Sequence, residues 1–265
     1  MISHQLKQSA RRWWRRRPRI LAVFSFRHDH ALVPDLIANV EPLVDGWVSF
    51  DDRASEAAYS DERMRRGALI DAARDLGARW ILAVDPDERL EAATAEAIPR
   101  LTAPWRPTAW AFNLREMYSP DEYRVDGLWG EKRRARLFSM FPPQDLGGSE
   151  LHGQWFPEGA GHAIRNVDLN IYHLRMISPQ RRRVRRDLYN ALDPERRFQE
   201  VGYDYLADES GLRLERVPAQ RRYLPPHRDD GGLWSARPEE ILARRPVESG
   251  AQGIVDPHKT VSWPN

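Results

Sequence analysis

Three carboxylates stand within four residues at the end of an apolar segment. Residues 80–84 read Trp-Ile-Leu-Ala-Val and lead directly into Asp85-Pro86-Asp87-Glu88. Carboxylates this close repel one another, and a hard cation offsets the repulsion because Mg²⁺ and Mn²⁺ take oxygen ligands and share them with phosphates. We therefore expect Asp85 and Asp87 to bind Mn²⁺ or Mg²⁺, with Asp87 as the favoured direct ligand. The alternative is that these acids cap and begin a helix.

A second acidic pair, Asp51-Asp52, ends the preceding apolar segment, Gly46-Trp47-Val48-Ser49-Phe50. A carboxylate at a strand end can accept a hydrogen bond from a ribose hydroxyl or from a base N–H, a contact that selects a nucleotide. An ordinary polar turn is the alternative. The neighbouring Asp85 cluster favours the nucleotide interpretation.

Two further groups carry metal-binding or phosphate-binding side chains. His173 ends a predicted strand, where it is either a third metal ligand, a phosphate contact or a histidine hydrogen-bonded in the core. His28-Asp29-His30 resembles a ligand cluster, but its two histidines point to opposite faces if the segment is extended. Among the arginines at 181–183 and 185–186, some could reach a diphosphate, and most are expected on a solvated helix face.

The elements that must position these residues alternate between strands and helices. Residues 20–26, 46–50 and 80–84 have the length and composition of buried strands. Helical patterns separate them, the second beginning near Ser60-Asp61-Glu62 and ending at Gly77. This order predicts a parallel sheet with right-handed crossovers, in which ligands bind beyond the carboxyl ends of the strands. Both acidic clusters fall at such ends.

The second half of the chain is less regular. We expect strands at residues 110–114, 135–138 and 169–173, and a loop over 142–161. Ser178-Pro179 predicts the start of a helix, because proline at the first helical position loses no hydrogen bond. Frequent prolines from residue 213 onward indicate an extended tail.

Composition excludes several classes of protein. The chain has 265 residues and no cysteine, so it has neither a disulfide scaffold nor a thiolate site. We find neither an apolar run long enough to span a membrane nor the apolar region of a signal peptide, and the chain fits a cytoplasmic setting.

Charge is distributed unevenly along the chain. Residues 1–19 carry seven basic residues and no acid, whereas the remainder has 34 basic and 39 acidic residues. The acidic body argues against a specific nucleic-acid partner. The arm mixes arginine with Trp13 and Trp14, which suits an anionic membrane interface such as the inner face of a cell membrane. Non-specific nucleic-acid binding and no partner at all are its alternatives.

Residues 19–91 resemble the nucleotide-sugar half of GT-A glycosyltransferases, close to family two and related bacterial enzymes. Residues 26–29, Phe-Arg-His-Asp, stand where that family has a segment lining the nucleotide pocket, which implies that Arg27 binds the donor. Asp51 and Asp52 stand at the family's acidic turn, although its usual following glycine is Arg53 here.

The same resemblance extends to the neighbouring helix and strand. Arg65, or its neighbour Arg66, lies in a helix from which, in that family, a basic side chain approaches the donor diphosphate. Residues 80–88 match the strand that ends in the family's Asp-x-Asp motif, with Asp85 contacting donor and metal. Further likeness at 151–153, 172–174, 178–182 and 202–206 is to a bacterial subgroup of the same class.

The resemblance implies a GT-A-type α/β fold, a mixed and mainly parallel sheet flanked by helices. We expect a basic arm at 1–18, a catalytic domain at 19–212 and a Pro-rich tail at 213–265. The implied function is inverting, metal-assisted transfer of a sugar from a nucleoside-diphosphate sugar to a hydroxyl, on a surface-glycan precursor or a lipid-linked acceptor.

An inverting transferase of this kind also needs a base on the acceptor side. Glu150 is the first candidate, in a Gly-rich segment, with His152 and Asp145 as rivals and an ordinary surface loop as the alternative. Two other functions remain open: a nucleotidyltransferase, disfavoured because no Gly-rich phosphate loop follows the first strand, and a non-catalytic nucleotide-sugar-binding module of the same fold.

Overall fold

The strands assemble into one ten-stranded sheet, in a computed structural model that describes residues 1–7, 18–27, 29–55, 62–140, 155, 161–197 and 200–223. The strands are β1 (Ile2–Leu6), β2 (Ile20–Phe26), β3 (Gly46–Asp51), β4 (Trp80–Ala83), β5 (Glu88–Leu90), β6 (Thr108–Ser119), β7 (Glu122–Arg124), β8 (Arg133–Ser139), β9 (Ala163–His173) and β10 (Leu214–Arg216). The α-helices are α1 (Val33–Val40), α2 (Glu62–Asp75), α3 (Thr94–Leu101) and α4 (Pro179–Leu192). The fold is therefore mixed α/β, with a few helices flanking the sheet.

The first half of the chain forms the predicted parallel unit. β2 lies between β3 and β4 and runs parallel to both. Its residues are almost fully buried because their side chains enter two apolar clusters, one on each face of the sheet. Apolar residues of α1 pack on one face and those of α2 on the other. The predicted strands and helices of this region are confirmed.

Residues 2–6 were assigned to the basic arm from the sequence, but they form an antiparallel strand beside β3. Ile2 pairs with Phe50 and Leu6 with Gly46. The strand contains only five residues, and its burial is partial, so its apolar pattern is too weak to be recognised without the neighbouring strand. The arginine-rich residues 8–17 lie outside the described residues.

The second half of the sheet brings distant carboxylates together. β8 runs antiparallel to β4, and β6 lies between β8 and β9. The short β5, which directly follows the Asp85 turn, pairs with the end of β9 so that Glu88 lies opposite His173. On the other side of β9, Glu116 of β6 also lies opposite His173. The strands predicted at 110–114, 135–138 and 169–173 are confirmed.

The final described residues are joined to the sheet. α4 begins as predicted, with the Ser178 side chain accepting a hydrogen bond from the Arg181 backbone N–H at 3.2 Å. β10 pairs with β7, and Tyr223 stacks on Tyr172 with ring centroids 4.6 Å apart. The beginning of the expected tail thus belongs to the folded unit.

Within the described ranges, none of the helices combines the length and the apolar composition that crossing a bilayer requires.

Candidate functional site

The carboxyl ends of β2, β3 and β4 meet at one edge of the sheet. Because the three strands are parallel neighbours, Ser25, Asp52 and Asp85 all lie at this edge, as the sequence predicts for both acidic clusters. Arg65 of α2 joins two of the strand ends. Its Nη1 donates to Ser25 Oγ at 3.1 Å and lies 3.7 Å from Asp52 Oδ2. A buried carboxylate and a guanidinium therefore stand beside each other at this edge.

Asp51 and Asp52 have different surroundings. The Asp51 carboxylate is held by the side chain of Arg53, with contacts of 2.7 to 3.1 Å. Burial alone would raise the pKa of Asp51, but the hydrogen bonds from Arg53 outweigh it and lower the pKa. Asp52 is more deeply buried and faces Arg65. Arg53 thus pairs with Asp51, and Asp52 is the acid directed towards α2.

Arg136 of β8 binds carboxylates of residues 85–88, which we call the acidic turn. Its guanidinium contacts Asp85 Oδ2 at 2.9 Å and both Glu88 carboxylate oxygens at 2.5 and 2.9 Å. Burial raises the pKa of Glu88, and Asp85 adds to the effect while Arg136 opposes it. The Asp85 side chain stays 38% exposed. Asp85 is consequently the carboxylate of this pair that a ligand can reach.

Arg89 fixes the backbone of the same turn. Its side chain is fully buried and donates to the carbonyl oxygens of Pro86 and Glu88, both at 2.6 Å, and to that of Leu32 at 3.1 Å. These bonds connect the turn to the start of α1. The acids at 85–88 are therefore held by arginines from two directions and do not begin a helix, the alternative suggested by the sequence; they enter β5.

Asp87 belongs to a buried network in which acidic and basic side chains alternate. His173 Nε2 lies 3.4 Å from Asp87 Oδ1, and His173 Nδ1 lies 3.1 Å from Glu116 Oε2. Burial would lower the pKa of His173, but the two carboxylates outweigh it and raise the pKa. Glu116 also contacts Arg175 at 2.7 Å. Both ring nitrogens of His173 thus lie at ion-pairing distance from carboxylates; coordination of a metal by His173 stays a prediction.

Two arginines of α4 approach Asp87 from the opposite side. Arg185 Nη1 lies 3.7 Å from Asp87 Oδ2. Burial alone would raise the pKa of Asp87, but His173, Arg185 and Arg181 together lower it far below its usual range. Arg181 is buried, so the solvated face expected for most of these arginines does not include it. Arg182 is also buried, against Tyr118, and its charge is paired with Glu209.

Asp29 is a residue of the site to which the sequence assigned no role of its own. It is partly buried after the end of β2, and its Oδ1 accepts the Arg27 backbone N–H at 3.2 Å. Burial and the negative charges of Asp87 and Asp85 raise the pKa of Asp29 to about 7. Asp29 therefore shares the electrostatic environment of the acidic turn. The sequence signal was His28-Asp29-His30, and Asp29 is the member of that cluster whose pKa responds to the acids of residues 85–88.

The other expected site residues fall in three places. The Arg27 guanidinium donates to the Ser55 carbonyl at 2.9 Å, which ties the end of β2 to the turn after β3. Arg66 contacts Glu62 at 2.6 Å and covers the ring of Trp155, whose Nε1 lies 3.4 Å from Asp85 Oδ1. Glu150, His152 and Asp145 lie outside the described residues, as does His28.

The acidic turn can be tested for its fit to a divalent cation. Among the residues that the structure describes, no group of three or more His, Cys, Asp or Glu side chains is arranged to hold a metal ion. Mg²⁺ and Mn²⁺ sites that also bind phosphates often use only one or two protein carboxylates. The exposed Asp85 carboxylate fits that smaller role. The raised pKa of Asp29 reports repulsion between the acids of this region, and a bound cation would relieve that repulsion.

Comparison with known proteins adds no family to this description. The sequence matches no protein-family model and no curated protein.

Proposed function

We propose that this protein is a GT-A-type glycosyltransferase that transfers a sugar from a nucleoside-diphosphate sugar to a hydroxyl group of a glycan or lipid-linked acceptor. The observation that carries the proposal is the shared carboxyl edge of β3, β2 and β4. It combines Asp52 and Arg65 with the clamped acidic turn at Asp85. Such an edge is where open α/β sheets bind nucleotides.

The two ends of a donor have separate partners in this arrangement. Asp52, after β3, is placed to accept a hydrogen bond from the ribose or the base. Arg65 lies 3.7 Å from Asp52, and its guanidinium is suited to the first phosphate because planar forks match phosphate oxygens. Asp85, two strands away from Asp52, is suited to the end of the donor that carries the sugar.

The residues present fit a divalent cation at Asp85, with Asp87 beside it. When bound, Mn²⁺ or Mg²⁺ would neutralise charge that develops on the leaving diphosphate. Asp87 is mostly enclosed by His173 and Arg185, which makes Asp85 the better direct ligand and Asp87 the acid that shapes the turn. This order reverses the preference drawn from the sequence.

The transfer itself requires one proton acceptor. The acceptor oxygen forms a bond to the anomeric carbon while the bond from that carbon to the diphosphate oxygen breaks, and the nucleoside diphosphate leaves. The hydroxyl proton passes to a carboxylate or imidazole within hydrogen-bonding distance. Glu150 and then His152 are our proposed bases from the sequence.

Binding of nucleotide sugars tests the proposal before any acceptor is known. A thermal-shift screen of nucleotide sugars, with Mn²⁺ or with EDTA, should reveal one donor class that stabilises the protein only with the metal. Asp85→Asn should remove that stabilisation. Its fold should survive because Arg136 keeps its pair with Glu88. Asp71→Asn is the matched control, since Asp71 is an exposed acid of α2.

Catalysis is separated from binding by the fate of the donor. Purified protein should slowly hydrolyse the selected donor to free sugar and nucleoside diphosphate, with water replacing the acceptor. Donor binding without any hydrolysis or transfer would favour a non-catalytic binding module. Release of pyrophosphate from a nucleoside triphosphate would favour a nucleotidyltransferase. Stabilisation by no nucleotide sugar in the screen would count against the proposed function as a whole.

A further inference from the structure

The cations next to the acidic turn outnumber its carboxylates. The carboxylates are Asp29, Asp85, Asp87, Glu88 and Glu116; the cations are Lys132, Arg134, Arg136, His173, Arg175, Arg181 and Arg185. Several cations pair closely with acids, such as Arg136 with Glu88 and Arg175 with Glu116. The excess positive charge indicates that this region is built to receive an anion.

Arg134 is the cation of this group that is open to solvent. Its side chain is exposed, whereas Arg136 is buried and Lys132 and Arg175 are mostly covered. Within the described part of the chain, the hydrogen bond seen for its guanidinium goes to the Arg133 carbonyl at 3.1 Å, and no carboxylate lies within ion-pairing distance of it. Partial burial and the nearby charges of Arg136 and Arg175 lower the pKa of Arg134, although its side chain still reaches solvent. An incoming anion would relieve this crowding of like charges.

The neighbours of Arg134 define a small cationic surface. Lys132 lies 3.4 Å from Glu116 and 3.7 Å from the centre of the Trp129 ring. Burial lowers the pKa of Lys132 to about 8, and the charges of Arg175 and Arg134 contribute. Lys132 is also one of only three lysines among 41 basic residues. A compact ammonium fits between Glu116 and the Trp129 ring, and Arg134 lies two positions further along the chain.

The position in the sheet decides which substrate this surface meets. Strand order places β3, β2, β4 and β8 side by side, and β8 is antiparallel to β4. The beginning of β8, with Arg134, is consequently at the same edge as the end of β4, with Asp85. Arg134 and Arg136 are two positions apart on β8, a distance of about 7 Å along an extended strand. The nucleotide partner Asp52 lies on the opposite side of Asp85, so Arg134 faces the acceptor side.

We propose that Arg134, flanked by Lys132 and Arg175, is a subsite for a phosphate group of the acceptor. The assignment of the phosphate to an acceptor rests on the proposed function, but the anion site itself does not depend on transferase activity. The phosphate can belong to a soluble phosphorylated sugar or to a lipid headgroup. Both present two phosphate oxygens to which a guanidinium can donate a bidentate pair of hydrogen bonds.

Calorimetry with a soluble phosphomonoester, glycerol 3-phosphate, tests the site on the full chain. Arg134→Gln should weaken its binding at least about tenfold, the loss expected when one charge-assisted hydrogen bond is removed. Arg134→Lys should retain part of the affinity because it keeps the charge. Arg133→Gln is the matched control. The register opposite Phe112 and Asn113 places residues 133 and 134 on opposite faces of β8, and both side chains are exposed.

A second arm distinguishes the two sources of phosphate. Phosphatidylcholine vesicles with and without phosphatidic acid would be sedimented with the wild type, Arg133→Gln and Arg134→Gln. Binding that requires phosphatidic acid and falls only in Arg134→Gln identifies a lipid phosphate. Loss confined to glycerol 3-phosphate identifies a soluble one. Equal binding by Arg134→Gln and Arg133→Gln to both probes would overturn the subsite.

The donor must be measured separately, because Arg134 could instead serve the donor diphosphate. The nucleoside diphosphate selected by the thermal-shift screen should bind Arg134→Gln as tightly as the wild type, within about twofold. A comparable loss of nucleoside-diphosphate affinity would overturn the assignment to the acceptor. If no nucleotide binds the wild type while glycerol 3-phosphate binding depends on Arg134, the transferase proposal fails and the anion site stands.

Discussion

Removing Arg136 should destabilise the protein through the acid that it leaves behind. Arg136 is buried and pairs with both Asp85 and Glu88, and the Glu88 side chain is fully enclosed. In Arg136→Met, Asp85 can be solvated, but Glu88 stays buried without its cation. Breaking a buried ion pair in this way costs about 3–5 kcal/mol of unfolding free energy. Urea denaturation followed by circular dichroism measures the loss.

The double variant Arg136→Met/Glu88→Gln separates the buried charge from lost packing. It removes both charges and keeps a side-chain oxygen that can accept a hydrogen bond from the Asp85 backbone N–H. In the wild type this N–H donates to Glu88 Oε2 at 3.1 Å. We expect it to recover most of the stability, because replacing both members of a buried pair is often nearly neutral. A double variant that is no more stable than Arg136→Met would refute the reasoning.

The same variant should depend on pH in a defined direction. The pKa of Glu88 is already raised by burial, and loss of Arg136 raises it further. A folded-state pKa above the unfolded value of about 4.3 means that the folded protein binds the proton more tightly. The destabilisation should therefore be smallest at acidic pH and grow as pH rises through the raised pKa. A destabilisation that is independent of pH would show that Glu88 is not its source.

Three further predictions concern other parts of the fold. His173→Gln should lose stability mainly at acidic and neutral pH, because a raised pKa gives stability below the ordinary value that disappears as pH rises through the folded one; equal urea midpoints for variant and wild type at low pH would contradict this. Ser178→Ala should cost about 1 kcal/mol of unfolding free energy by removing the cap of α4, measured against Ser210→Ala, and an equal loss in both would refute it. Gly77→Ala should lower the thermal midpoint and cost about 1 kcal/mol, since Gly77 has φ +79°; an unchanged midpoint would contradict the backbone argument.

Much of the first half of the fold was predictable because its signals are local. The apolar run of residues 20–26 is completely enclosed and needs no partner to be recognised as a strand. The acids at 51–52 and 85–88 follow such runs directly, so their meeting at one edge follows from parallel pairing. Gly77 and Ser178 likewise mark helix ends through their own backbone chemistry.

The rest of the site depends on registers that no local pattern contains. Arg136 meets Glu88 across 48 residues because β8 runs antiparallel to β4. Glu116 meets His173 only because β6 and β9 are in register. Asp29 is far in sequence from the acids that raise its pKa, Asp85 and Asp87. Arg181 looked like a residue of a polar helix face until the packing of α4 showed it buried.

The most direct test of the proposed function is a crystal grown with Mn²⁺ and the nucleoside diphosphate selected in the screen. Anomalous scattering locates the Mn²⁺ ion without reference to the nucleotide. The proposal predicts one peak within coordination distance of Asp85 and of a phosphate oxygen, with the ribose or the base beside Asp52. Nucleotide bound away from the carboxyl edge of β2, β3 and β4, or Mn²⁺ bound without contact to Asp85, would contradict it.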